Sequence, residues 1–306
     1  MKTKNIVFLP LVLLTAGLFL SACEDVIDPE LQAADPVLVV DAWINDLPGE
    51  QTIRLTWSQP YFEAEVPPPV SGASVLVRDE EGRVFFFDEN ITKPGHYEWV
   101  PGGADTLRIG STYALEITIG PDTYTALSYM GRVPPVDSVT FEEDDNLATG
   151  GTLIRAEFWA TDPVGPGDAY WIRTYKNGIP LLKPNEINIA FDAGVSIGGP
   201  ADGVVFIAPV RRRINSNDQN EDGSLVSPIA LGDTLHVQIH SLTVAAFTYL
   251  NEVSIQTNRP GGFQELFATP LSNVSTNIIN TNPSGLKAVG FFNVSAVSSN
   301  GGRYTN

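Results

Sequence analysis

Cysteine is almost missing: the 306 residues hold one, Cys23, beside two methionines and three histidines. A single thiol excludes an intramolecular disulfide, and so few sulfur and imidazole groups leave too little for a zinc centre. Lysine is scarce as well, six against twelve arginines, while 36 acidic residues against 18 basic ones give a formal charge of −18. A surface this acidic excludes nucleic acid and anionic headgroups as electrostatic partners. Beyond residue 20 no stretch approaches ~18 consecutive apolar residues, which excludes a later membrane-spanning helix. With no disulfide to staple it, the body must stand on its own hydrophobic core, which roughly 280 residues can supply.

What is present begins at the N-terminus. Lys2 and Lys4 precede a mostly apolar stretch, Ile6 to Leu20, that ends in Leu20-Ser21-Ala22-Cys23. A short apolar region behind a basic start, closed by small residues, reads as an export signal. Leu-Ser-Ala-Cys is the lipobox pattern, in which the thiol is diacylated and the cleaved chain starts at the cysteine. An ordinary signal peptide, or an anchor with an incidental cysteine, is the alternative, but the stretch is short for a span. Residues 1–22 are therefore read as a lipoprotein signal and Cys23 as the lipidation site. Two or three acyl chains suffice for stable attachment, at about 0.8 kcal/mol per buried methylene. Residues 23–35, acidic and without apolar periodicity, read as a tether. Loss of Lys2 and Lys4 with the signal takes the charge from −18 to −20.

Abundant β-branched and aromatic residues, punctuated by 27 glycines and 23 prolines, point to β-structure with many turns. From Pro36 short strand-like runs recur, among them Val37–Ile44, Thr52–Trp57, Gly72–Arg78, Val84–Phe87, Gly95–Trp99, Tyr113–Ile119 and Tyr124–Leu127. Turn clusters between them predict an antiparallel sandwich over 36–132. The arrangement Val70-x-Gly72-Ala73-x-Val75-x-Val77, an acidic-Gly turn and then Gly95-x-Tyr97 resembles transthyretin-like and immunoglobulin-like modules.

A stiff joint at Val133-Pro134-Pro135-Val136 opens a second antiparallel β domain, 133–306, with strands expected at Ile154–Ala160, Ala169–Tyr175, Val204–Ile207, Thr234–Leu242 and Ala288–Val297. One substantial helix is predicted near 244–256, because Val244, Phe247, Leu250 and Val253 keep helical spacing behind Thr243, a credible N-cap. The fold class is thus mostly β, a sandwich followed by a β domain with one helix.

Four segments carry a wider resemblance: Val37–Gly49 (VLVVDAWINDLPG), Val133–Val139 (VPPVDSV), His236–Leu250 (HVQIHSLTVAAFTYL) and Val289–Ser299 (VGFFNVSAVSS). With the Cys23 lipobox they resemble a large, uncharacterised family of Bacteroidota outer-membrane lipoproteins, known only as a domain of unknown function. The resemblance covers nearly the whole mature chain. It implies lipid anchoring in the outer membrane, on its periplasmic or extracellular face, and a role near a TonB-dependent receptor, whose genes often lie beside those of the family. It carries no catalytic residues.

Gly194-Val195-Ser196-Ile197-Gly198 matches the G-x-S-x-G pattern, with His236 and His240 downstream, but the strand–turn–helix context of a nucleophile elbow is missing. His236 and His240 alternate along a strand, so they share a face roughly 13 Å apart, too far for one metal. Asp218-Gln219-Asn220-Glu221-Asp222-Gly223 places oxygen ligands at alternate positions before a glycine, so Asp218, Asn220 and Asp222 are candidate calcium ligands. The twelfth position of that loop is Ile229 rather than an acid, and Asp202, Glu221 or Asp233 would have to complete it. A solvated hairpin loop suits the same residues. Arg211-Arg212-Arg213 is expected to pair with acids such as those near Glu142 rather than to clamp a ligand. These readings favour a non-enzymatic accessory or ligand-binding lipoprotein over a surface hydrolase of glycans or peptides, or a structural adhesin module.

Overall fold

Alternate residues of the N-terminal strands turn inward, so each strand buries one apolar row on one side. A computed structural model describes residues 35–60, 63, 65–102, 106–146, 151–216, 220, 225–259, 267–268 and 270–305. The signal, Cys23 and residues 24–34 of the tether lie outside the described residues. In order come β1 (Leu38–Asn45), β2 (Gln51–Trp57), β3 (Ser74–Asp79), β4 (Val84–Glu89), β5 (His96–Trp99), β6 (Thr112–Ile119) and β7 (Asp122–Tyr129). They are followed by β8 (Ser138–Asn146), β9 (Gly151–Trp159), β10 (Ala169–Lys176), β11 (Ile179–Pro180), β12 (Asn188–Phe191), β13 (Thr234–Leu242), β14 (Ile279–Asn280), β15 (Ala288–Ser295) and β16 (Val297–Arg303).

Nine strands form one sheet in the order β14-β7-β6-β3-β4-β5-β2-β1-β15, antiparallel except for the parallel β1–β15 pair. The sheet folds over itself, and Leu38, Val40, Ile53, Leu55, Val77, Tyr97, Tyr113, Leu115 and Ile117 fill the space inside. Each large apolar side chain buried there stabilises the fold by about 1.5–3 kcal/mol. The two ends of the folded sheet meet through side chains rather than a strand ladder. Val294 N donates to Ser128 Oγ at 2.9 Å, and the Asn277 amide accepts from Phe292 N at 3.0 Å while donating to Phe292 O and Leu127 O. An amide side chain here does what a neighbouring peptide group would do.

The architecture is mostly β, as the alternation predicts. β14 and β15 lie beyond residue 133 and yet belong to the N-terminal sheet, so the C-terminal segment completes it. Gly290 makes that closure possible: its φ is +93°, and a Cβ added there would stand 2.0 Å from Val40 O. Ala296 then carries the chain across to β16 in the second sheet, ordered β11-β10-β13-β16, with β12 also on β10; β8 and β9 form a separate hairpin. At the crossing, Ser241 N donates to Ala296 O, Ala296 N donates to Ser241 Oγ, and Asn293 Nδ2 donates to Ser241 O. Pro36–Asn306 packs as one compact unit.

The long helix spans Val244–Thr257, with the Thr243 side chain accepting from Ala246 N at 3.1 Å. It buries Ala246, Phe247 and Leu250 in a cluster with Phe291 of β15 and Ala169 and Leu242 of the second sheet. Val204–Ile207 is not a strand: it is an extended loop with a single bridge, Thr161 to Val205, that leads into a short helix at Ala208–Arg212. Pro209 at the start of that helix fits, because the first turn needs no N–H partner there.

Candidate functional site

The residues singled out from the sequence fall in separate places. Ser196 is exposed in a turn after β12, and the next helix starts only at Ala208, so no nucleophile elbow forms. Asp218 and Asp222 lie outside the described residues, and Asn220 between them is exposed. Of the helpers considered for that loop, Asp233 is engaged elsewhere: it accepts from Asn177 Nδ2 at 2.8 Å and Ala230 N at 2.9 Å and pairs with Lys176 at 3.0 Å.

Asp202 instead joins two acids that sequence analysis did not group with it. Ligand atoms of Asp162, Asp192 and Asp202 lie within 4.8 Å of one another, the one such set among the described residues. A hard cation takes oxygen ligands of this kind. Each carboxylate also accepts protein donors: Asp162 from Tyr170 OH and Gly203 N, Asp192 from Gly167 N and Asp168 N, Asp202 from Gly165 N. Burial, with Asp168 and Asp192 nearby, holds the Asp162 carboxyl above the usual range despite those donors. Asp162 lies some 30 positions before Asp192 and Asp202 ten after it, a spacing that matches no local ligand motif.

Arg211 and Arg212 of the arginine run pair internally, though not with Glu142. Arg211 and Arg212 both grip Glu157, which is 5% exposed, and Arg211 lies 4.2 Å over the Trp159 ring. Burial acts to raise the Glu157 pKa, but the two guanidinium groups outweigh it and hold the carboxylate below its ordinary range. Arg155 takes Asp144 of the acidic run. Phe85 and Phe87 are core, Trp99 packs on Phe85, and Tyr61 and Phe62 lie outside the described residues.

A different constellation forms where the two sheets meet. Trp43 of β1 meets Trp171 of β10 edge-on, with ring centres 5.3 Å apart. Trp43 also stacks on Phe291 at 5.9 Å, and Tyr249 of the long helix closes on Phe291 at 4.8 Å. Two residues along from the tryptophans, on the same strand faces, stand Asp41 and Arg173, about 6.8 Å further along their strands. Strand register sets Arg54 beside Asp41 and His96 beside Arg54. Asp41 is exposed, yet crowding by the protein raises its pKa against the pull of Arg54, Arg173 and His96. Asp41 therefore sits near the junction of the two sheets, within electrostatic reach of both arginines.

Beyond Trp171 lies the polar face of the second sheet. The Arg173 guanidinium lies 4.8 Å over Trp171 and 5.8 Å from the centre of the Tyr175 ring. Tyr175 OH donates to Gln238 Oε1, and His240 Nε2 lies 3.1 Å from the same oxygen. Burial, and then Arg173, push His240 down to about 3, so its ring is neutral and satisfies Gln238 by donating from Nε2. His236 shares that face beside Tyr175, as strand alternation predicts. Among the described residues, the side chains of Asp41, Arg54 and Arg173 make no hydrogen bond or ion pair. Sequence analysis set His236 and His240 on one strand face and missed the rest, because β1 and β10 lie more than 120 positions apart and nothing local couples them.

Compared with known families, residues 24–300 match the model described as Domain of unknown function (DUF4249). No curated protein matches the chain.

Proposed function

The chain belongs to the DUF4249 family, and from that premise we propose that it is a lipid-anchored, non-enzymatic lipoprotein of the outer membrane, the accessory or ligand-binding subunit of a TonB-dependent uptake system. The observation that carries the reading is the lipobox at Leu20–Cys23 ahead of an acidic tether and a compact β body. A tether of about a dozen residues reaches ~40 Å at 3.3–3.6 Å per residue. That length lets the body sit over or beside a receptor barrel in the same membrane. Confinement to two dimensions raises the effective concentration of the receptor, so a modest interface suffices. The junction between the sheets is the natural place for cargo, since ligand sites favour the junction of packed units.

The test is in-cell crosslinking followed by extraction of the full lipoprotein in mild detergent. The expected result is co-purification with a TonB-dependent receptor, and impaired uptake on deletion with no hydrolytic activity lost. Recovery as a lone monomer, or turnover of a glycan or peptide by the pure protein, overturns the reading.

A further inference from the structure

We propose that the wedge between β1 and β10 binds a small carboxylate ligand that carries a hydrogen-bond donor near its carboxylate, the chemistry shared by sugar acids and zwitterionic peptides. The inference rests on the ligand-binding reading above and gives that ligand its class. Three features point the same way. The chain has twice as many acids as bases, and Arg83, Arg108, Arg132, Arg155, Arg211 and Arg212 each hold one. Arg54 and Arg173 face the wedge beside the carboxylate of Asp41 and, like Arg78, Arg213 and Arg303, form no ion pair among the described residues. On an acidic body this is a local excess of positive charge, and it selects an anion.

The form of the charge narrows the choice. Arg173 is held by Trp171 and Tyr175, so its fork of N–H donors is fixed before any ligand arrives. A fixed guanidinium fork matches the two oxygens of a carboxylate and loses little freedom on binding it. Asp41 accepts only, and it stands across from that fork, so the ligand must also bring a hydroxyl or ammonium donor. The Trp43–Trp171 contact closes the inner end and offers an apolar floor to a sugar ring or a short aliphatic chain.

The full lipoprotein in detergent is titrated calorimetrically with digalacturonate and with alanyl-alanine, each beside its neutral counterpart, digalactose and N-acetyl-alanyl-alanine amide. Saturable binding of one acid probe is expected, at least tenfold tighter than its neutral counterpart, and the probe that binds identifies the source. Arg173→Gln should weaken it about tenfold, and Asp41→Asn several-fold, each as one charge-assisted hydrogen bond is lost. Both side chains are half-buried or exposed, so the variants should melt like the parent. Binding of neither acid, equal binding of the neutral counterparts, or unchanged affinity in Arg173→Gln overturns the site. A protein that crosslinks to a receptor but binds neither probe overturns this proposal alone, and one that binds but never crosslinks overturns only the receptor reading.

Discussion

Asp233 shows how one carboxylate can tie loops together and how acid would release them. Hydrogen bonds from Asn177 and Ala230, and then Lys176, lower its pKa to about 2. A carboxylate is ordinarily near 3.9 in an unfolded chain, so the folded state binds this proton less readily. Its contribution is therefore present above about pH 4 and is lost as pH falls toward 2. Asp233→Asn leaves Lys176 without its acid and should lower the melting temperature at pH 7. Measured from pH 7 down to 2, the gap between variant and parent should close below about pH 4. A gap of constant size across that range would show that the carboxylate charge is not what stabilises the loop. Glu157, also held low, adds to the same acid sensitivity, whereas Asp41 and Asp162, held high, oppose it.

Elements differ in how much of themselves they declare. β1 and β2 alternate cleanly, and the long helix declares both its apolar spacing and its Thr243 cap, so each is legible from residues a few positions apart. β12 is buried on both faces, with no alternation to read, and goes unannounced. At Val204–Ile207 a β-branched run suggests a strand, but no neighbouring strand is there to extend the single bridge at Val205. β15 was expected as a strand, but its parallel partner β1 lies some 250 positions away, and only the folded chain brings the two together. The aromatic and charged cluster at the junction is illegible for the same reason: its side chains come from β1, β2, β10 and the long helix. The helix cap offers a direct check. Thr243→Ala removes the acceptor for Ala246 N and should cost about 1 kcal/mol, while Thr243→Ser keeps it. In thermal melts the alanine variant should fall by roughly 2–4 °C and the serine variant should not; equal melting of the two would mean the cap contributes nothing.

The whole molecule is governed by its charge. The formal charge of −18 makes the chain repel itself, and that repulsion is screened over ~10 Å at 0.1 M salt and ~3 Å at 1 M. Raising sodium chloride from low to high concentration should therefore raise the melting temperature, the reverse of what a fold resting on isolated ion pairs would show. Calcium separates screening from binding. At matched ionic strength, calcium chloride and sodium chloride screen alike, and any excess stabilisation by calcium reports a cation bound to the folded state by linkage. If Asp218, Asn220 and Asp222 ligate calcium, that excess should appear at low millimolar calcium, vanish on chelation, and be abolished by Asp222→Ala. Coincident melting curves in the two salts would leave charge screening as the whole effect and remove calcium from the account.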